Sequence, residues 1–133
     1  MTFDPPGPAA DLLRERCEVT VWDGPGFATS EALAEHLPTA DGLYCTLTTT
    51  VDDALLDLAP HLRVVSQFAV GVDNIDLEAC RRRGIAVGHT PDVLNDEVAD
   101  TAILLWLAVS RRLVPADRHA RSGAWEVGEF PLN

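Results

Sequence analysis

The chain has 133 residues, which is enough for one domain with a hydrophobic core but too few for two complete domains. Its net charge is −11, and all ten basic residues are arginines. Because so acidic a chain gains nothing near phosphate groups, we expect neither nucleic acid nor an anionic membrane as a partner.

The chain is predicted to be a cytoplasmic protein. Three widely separated cysteines, Cys17, Cys45 and Cys80, form no C-x-x-C pair, and buried free thiols in a reducing compartment explain them best. The start, MTFDPPGPAAD, has neither the basic residues nor the apolar stretch of a signal peptide. The longest apolar run, TAILLWLAV, has nine residues and is too short to cross a bilayer.

Strands and helices alternate along the predicted chain. The predicted strands are CEVTVW (17–22), DGLYCTL (41–47), LRVVSQFAV (62–70) and IAVGHT (85–90). The predicted helices are TSEALAEHL (29–37), TVDDALLDLA (50–59), NIDLEACRRRG (74–84), NDEVADTAILLWLAVSRRL (95–113) and PADRHARSG (115–123). This alternation with short connections predicts an α/β fold with a doubly wound parallel sheet.

Capping residues mark the predicted helix ends. The helix over 29–37 is expected to have Thr29 or Ser30 as its N-cap, and the helix over 50–59 Thr50 or Asp52. Gly84 stands where a helix often ends in a left-handed residue.

Two possible ligand sites are set aside. The segment GPGFAT (24–29) lies between a strand and a helix, but it lacks a third glycine, and Pro25 removes an N–H group that a pyrophosphate would need. We interpret it as a turn. The four histidines show no metal-ligand spacing, so no metal site is predicted. His89 follows a predicted strand end, where open parallel sheets bind ligands, but a surface-loop role is the simpler interpretation.

The segment Ala69-Val70-Gly71-Val72-Asp73-Asn74 follows the third predicted strand and contains no acid, base or nucleophile suited to catalysis. A turn at this place exposes backbone N–H groups, and Gly71 lets a ligand come close to the main chain. Such a turn can hold a carboxylate without any charged side chain. Asp73 and Asn74 are expected to cap the helix that follows.

These segments together resemble the D-isomer-specific 2-hydroxyacid dehydrogenase family, and within it the glyoxylate/hydroxypyruvate reductase branch. The similar motifs are VGVDNID, RGIAV, TPDV, the E-x-A-D before the long helix, SRR at its end, and the closing S-G-x-W. The resemblance covers about Ala10 to Trp125 and implies that the substrate-binding turn contains Val70 and Gly71. It also implies, more weakly, that Val98 is an apolar wall near the nicotinamide.

The resemblance implies a flavodoxin-like doubly wound parallel sheet whose first strand is largely missing, since Met1-Thr2 would be its last residues. Residues 1–92 would form the substrate domain, and residues 93–133 the crossover helices leading into an absent Rossmann domain. The family's catalytic Arg, Glu and His would lie beyond Asn133, so no catalytic residue is expected here. None of the four histidines matches the catalytic one.

The expected function is therefore that of a substrate-domain portion of an enzyme that uses NAD or NADP to reduce glyoxylate-type 2-oxo acids. The isolated chain is expected to be inactive. The complete enzyme is expected to form a homodimer through the helix at 96–113. The alternative is a stand-alone, non-catalytic module that binds small carboxylates or dimerises. DNA beyond codon 133 would distinguish the two, because a reading frame with G-x-G-x-x-G supports the first.

Overall fold

The computed structural model describes residues 1–123, and contacts divide the chain into two compact units, Met1–Val93 and the residues from Leu94 onward. The first unit contains helices α1 (Ala9–Arg14), α2 (Ser30–His36), α3 (Asp53–Asp57) and α4 (Leu77–Arg82), a 3₁₀ turn at Leu37–Thr39, and strands β1 (Gly42–Cys45), β2 (Val64–Gln67) and β3 (Ala86–Gly88). The second contains helices α5 (Asn95–Ser110) and α6 (Leu113–Arg121).

The three strands form one parallel sheet in the order β1-β2-β3, which confirms the predicted α/β class. Val65 at the centre lies opposite Leu43 on one side and Val87 on the other. Burial alternates along β1 and β2, so every second side chain points into the core. The largest side chains of that core are Leu37, Leu43, Val51, Leu56, Leu62, Val65, Ile75 and Ile85.

The strand predicted at 17–22 is absent, and this expectation was wrong. Residues 17–22 run beside Met1 and Thr2 instead, with the Trp22 amide donating to the Met1 carbonyl at 3.1 Å. Thr2 in turn donates to the Tyr44 carbonyl of β1 at 2.9 Å and is completely buried. Met1 and Thr2 therefore lie between β1 and residues 17–22. Two residues offer too few backbone hydrogen bonds for residues 17–22 to form a strand.

Aromatic rings hold this N-terminal segment against the sheet. The Phe3 ring stacks on Tyr44 with centroids 5.6 Å apart and lies 5.7 Å from the ring of Phe68. Trp22 covers the turn predicted at GPGFAT, because a Cβ atom on Gly24 would overlap its indole ring. A side chain at position 24 would therefore force the indole ring to move.

The helix caps agree in part with the sequence. Thr29 caps α2, with Oγ1 accepting from the Ala32 amide at 3.3 Å, and Asp52 caps α3, with Oδ1 accepting from the Leu55 amide at 2.9 Å. Gly84 has a φ of +69° and ends α4 as predicted. The cap of α4 is Asp76, so the expectation that Asp73 and Asn74 would cap it was wrong.

Helix α5 exposes most of its apolar side chains within the described chain, Trp106 to 68% and Val109 to 78%. Arg112 takes the left-handed conformation, with a φ of 51°, between α5 and α6. Helix α6 begins at Leu113, two residues before the predicted start at Pro115, since proline is tolerated in a first turn. In residues 1–123, no helix combines the length and apolarity needed to span a membrane. Trp125 of the S-G-x-W motif lies outside the described residues.

Candidate functional site

The turn at Val70-Gly71 follows β2 directly and lies at the carboxyl end of the parallel sheet, where such sheets bind ligands. At its start, the Phe68 amide donates to the Cys45 carbonyl at 2.7 Å. At its end, the Val51 amide donates to the Asn74 carbonyl at 2.8 Å. Both ends of the turn are thus fixed to the fold.

Three consecutive carbonyls of the turn are occupied. The Ala69 carbonyl accepts from the Thr90 amide at 3.0 Å, and the Val70 carbonyl lies 2.8 Å from His89 Nδ1. The Gly71 carbonyl accepts from Gln67 Nε2 at 3.2 Å. The structure therefore fixes the acceptor side of the peptide groups that follow Ala69, Val70 and Gly71.

The amides of the same peptide groups are uncommitted. Within residues 1–123, the N–H groups of Val70, Gly71 and Val72 donate no hydrogen bond. All described peptides are trans, so each N–H points away from the group that holds the carbonyl of its own peptide. Uncommitted main-chain donors in a turn can bind an anion without a charged side chain.

Gly71 leaves the main chain bare without being required by the fold. Its φ lies outside the left-handed region, and a Cβ atom built on it would meet only Asp73 Oδ2 at 3.5 Å and Leu47 Cδ2 at 4.0 Å, which are ordinary contacts. A side chain here would therefore cost the described chain little. What the glycine provides is close access to the neighbouring amides.

A buried network supports the turn from below. Gln67 is only 1% exposed, and its Nε2 donates to Asn74 Oδ1 at 2.7 Å as well as to the Gly71 carbonyl. Asn74 Nδ2 donates to the Thr49 carbonyl at 2.7 Å, and Cys45 Sγ lies 3.3 Å from Gln67 Oε1. Asn74 does not cap α4 because its amide satisfies these inward-facing groups instead.

The buried thiols are unsuited to nucleophilic chemistry. Burial, with Cys80 nearby, raises the pKa of the Cys45 thiol to about 11. Burial also raises the pKa of Cys80. Both side chains are therefore neutral at physiological pH, and a neutral thiol is a poor nucleophile. No group of three or more His, Cys, Asp or Glu side chains in the described part of the chain could hold a metal ion.

The structure brings Val70 and Gly71 together in one turn, whereas Val98 lies in the second compact unit, on the first turns of α5. Val98 is 63% exposed and borders a shallow, mostly apolar concavity of about 400 Å³. The other side chains around this concavity are Leu94, Glu97, Thr101, Ala102 and Leu105.

His89 and Gln67 are the participants that sequence reasoning missed. His89 was interpreted as a surface-loop residue, and it is exposed, yet its ring contacts the turn. Its place just after β3 was a usable signal, because the ends of β2 and β3 meet at one edge of the sheet. Gln67 gave the signal of a polar residue at the end of a strand that begins with two valines.

Comparison with known proteins decides the family. The sequence model described as "D-isomer specific 2-hydroxyacid dehydrogenase, catalytic domain" matches residues 2–124. The chain belongs to this family. A glyoxylate reductase from Thermococcus gammatolerans is 46% identical over 116 residues, which are 87% of this chain and 35% of that protein. The chain thus spans about a third of the length of the curated relatives it matches.

Solved structures of the family agree in fold. The TT0316 protein from Thermus thermophilus has a TM-score of 0.79 and 42% identity, covering 98% of this chain and 42% of that one. An NADPH-dependent glyoxylate/hydroxypyruvate reductase from Sinorhizobium meliloti, in complex with NADP and malonate, has a TM-score of 0.60 and 37% identity. It matches 80% of this chain and 31% of its own. The family comprises oxidoreductases that bind NAD or NADP.

Proposed function

We propose that this chain forms the substrate domain of an NAD(P)-dependent reductase that acts on glyoxylate or hydroxypyruvate. The observation that carries the proposal is the set of uncommitted amides at Val70, Gly71 and Val72, beside carbonyls that are already occupied. The turn would bind the carboxylate of the 2-oxo acid through these amides. Family membership and the curated glyoxylate reductases support this substrate class.

The chain's own contribution is to bind and orient the substrate. Hydrogen bonds from main-chain amides to a carboxylate are charge-assisted and directional, so they fix the axis of the 2-oxo acid. Fixing that axis holds the neighbouring carbonyl carbon in one place, and such positioning lowers the barrier of a reaction between bound partners. Because peptide amides keep their protons over the physiological pH range, the donor groups of this site do not depend on a titratable side chain.

When bound, NADH or NADPH supplies the hydride in this family's chemistry. Among the described residues, Val98 fits a contact with the flat nicotinamide ring, because its side chain is apolar and exposed. The turn at Gly24 does not fit the cofactor's phosphates, since Pro25 has no N–H and the Trp22 ring covers Gly24. We therefore propose Val98 as a wall of the nicotinamide site and assign no phosphate site to residues 1–123.

Two finer points of the proposal concern the domains and the compartment. Residues 1–92 would be the substrate domain and residues 93–133 the start of the cofactor domain, near the boundary between the compact units at Val93 and Leu94. A cytoplasmic location is supported by the free, buried thiols of Cys45 and Cys80.

A titration of the ¹⁵N-labelled chain tests the carboxylate site. Sodium glycolate, the 2-hydroxy acid related to glyoxylate, is added while amide resonances are recorded. Ethylene glycol, in which a neutral alcohol replaces the carboxylate, is the matched control. Sodium chloride is added to it so that both titrations have the same ionic strength. We expect glycolate to move the amide protons of Val70, Gly71 and Val72 downfield. Equal responses to glycolate and ethylene glycol would overturn the proposal.

A stand-alone module is the second candidate, and the exposed apolar surface of α5 favours a dimerising one. Side chains that are half exposed or more run along the middle of the helix, and the largest are Ile103, Leu104, Leu105 and Trp106. Such a surface is typical of an interface. Homodimer formation through 96–113 is compatible with either candidate, whereas glycolate binding together with a downstream G-x-G-x-x-G reading frame would favour the reductase.

A further inference from the structure

We propose that His89 is a positioning residue of the carboxylate site, acting through the Val70 carbonyl; this inference rests on the proposed function. His89 follows β3, and its Nδ1 lies 2.8 Å from the Val70 carbonyl oxygen. A carbonyl oxygen only accepts hydrogen bonds, so Nδ1 carries the proton in this contact. The ring therefore donates to the peptide group whose N–H belongs to Gly71.

This contact selects one orientation of a peptide group that could otherwise turn over. A peptide next to glycine can rotate with little steric cost, because glycine accepts conformations that other residues avoid. If the Val70–Gly71 peptide rotated, the Gly71 N–H would leave its place and a carbonyl oxygen would stand near the carboxylate. Holding the carbonyl on the His89 side keeps the amide available on the opposite side.

The neighbouring peptide groups are held by other partners. Gln67 holds the Gly71 carbonyl and is itself fixed by Asn74, deep in the core. The Thr90 amide holds the Ala69 carbonyl. Changing Gln67 would disturb the core, whereas His89 is exposed and contacts the turn from the surface. The peptide group between Val70 and Gly71 is therefore held by His89, an exposed side chain that can be replaced without disturbing the core.

Three substitutions separate the hydrogen bond from other effects. His89→Ala removes the donor. His89→Asn places an amide nitrogen as many bonds from Cβ as Nδ1, so it can donate to the Val70 carbonyl. His89→Gln carries the same amide group one carbon further out and is the matched control. Glycolate titration of each ¹⁵N-labelled chain, with the Gly71 amide shift as readout, compares them.

We expect the initial slope of the Gly71 shift against glycolate to fall roughly threefold to tenfold in His89→Ala and His89→Gln, as for the loss of one hydrogen bond. The slope should return to near wild type in His89→Asn, with the melting temperature unchanged in all three. Equal slopes in wild type and His89→Ala would overturn the positioning role while leaving the carboxylate site intact. A wild-type chain that shows no glycolate response would overturn both.

Discussion

The side chains of Gln67 and Asn74 hydrogen-bond to each other, with Nε2 of the glutamine 2.7 Å from Oδ1 of the asparagine. Both amides are thereby fixed in orientation, because Asn74 Nδ2 must face the Thr49 carbonyl, 2.7 Å away. The pair connects β2, the turn after it and the loop after β1. Rigidity of the candidate site therefore depends on two neutral side chains.

Replacing Asn74 by aspartate should destabilise the fold. A carboxylate oxygen would then stand against the Thr49 carbonyl, where Nδ2 now donates a hydrogen bond. We expect a loss of about 1–3 kcal/mol in the free energy of unfolding, measured by urea denaturation at pH 7. Asp73→Asn, at the exposed neighbouring position, is the control and should stay within about 0.5 kcal/mol of wild type. Equal stability of the two variants would contradict the role given to Asn74.

Gly71→Ala should weaken the glycolate response without harming the fold. The added Cβ meets atoms no closer than 3.5 Å, and loss of glycine freedom in the unfolded chain can stabilise by about 0.4–1 kcal/mol. The bulkier Gly71→Val should block the amides more completely, and in a complete enzyme it should raise KM strongly. Gly88→Ala is the control, since nothing lies within 4 Å of its Cβ position. A glycolate response that survives in Gly71→Val would exclude this turn as the carboxylate site.

Gly24→Ala should weaken the N-terminal part of the first unit. The Trp22 ring would have to move to make room for the new Cβ, and overpacking of this kind costs about 1–3 kcal/mol. Urea unfolding followed by near-ultraviolet circular dichroism would measure the loss and the change around the indole. Gly88→Ala again serves as the control. An unchanged tryptophan signal would show that the ring does not pack against Gly24.

The Cys45 thiol should make stability depend on alkaline pH. Its pKa is about 11 in the folded chain, against an ordinary value of 9.0, so the folded state holds the proton more tightly. This contribution is complete below about pH 9 and is lost as the pH rises through about 11; it amounts to about 2–3 kcal/mol. Urea unfolding between pH 8 and pH 11 should show a steeper decline for wild type than for Cys45→Ala. Parallel declines would refute the assignment.

The chain should associate in solution through α5. Covering its exposed apolar side chains with another surface lowers the free energy, and the outer edge of the described sheet at β3 also favours association. Light scattering coupled to gel filtration should show mass rising with concentration, and Leu105→Glu should reduce it. Asp96→Asn changes charge on the same helix away from the apolar stretch and should leave the mass unchanged. If the chain remained a monomer at every concentration, neither the apolar surface of α5 nor the sheet edge would drive association.

No hydride transfer is expected from the chain alone. Its sequence contains no G-x-G-x-x-G loop, and the resemblance implies none of the family's catalytic residues within these 133 residues. Without an acid/base group and a bound cofactor, positioning by the turn cannot supply the about 8 kcal/mol or more by which enzymes lower barriers. The measurement is NADH and NADPH oxidation with glyoxylate and with hydroxypyruvate. Activity that co-purifies with the chain would disprove this expectation.

Local signals in the sequence were enough for caps and for the turn, but contacts between distant residues were not. Thr29, Asp52 and Gly84 act within a few residues of their helices, so their roles follow from short patterns. The contact of His89 with Val70 joins residues 19 apart, and only the register of β2 and β3 brings them together. Side-chain contacts across a sheet edge depend on that register, which no local pattern encodes.

The error at 17–22 has a similar physical origin. CEVTVW alternates as a strand should, but a strand exists only when a neighbour satisfies its backbone groups. Met1 supplies that neighbour for only two residues, because its ammonium group donates to the Thr20 carbonyl at 2.7 Å and its carbonyl accepts from the Trp22 amide at 3.1 Å. Sequence periodicity predicts which residues suit a strand, whereas the number of paired backbone groups decides whether one forms.

The tryptophans offer a way to observe the two compact units separately. Trp22, half-buried over Gly24, lies in the first unit, and Trp106, 68% exposed on α5, lies in the second. An indole shielded from water emits at shorter wavelength than one in contact with it. Replacing Trp106 and Trp125 by phenylalanine would leave Trp22 as a fluorophore that reports on the first unit. The chain therefore carries its own optical probe for whether its units unfold together or one after the other.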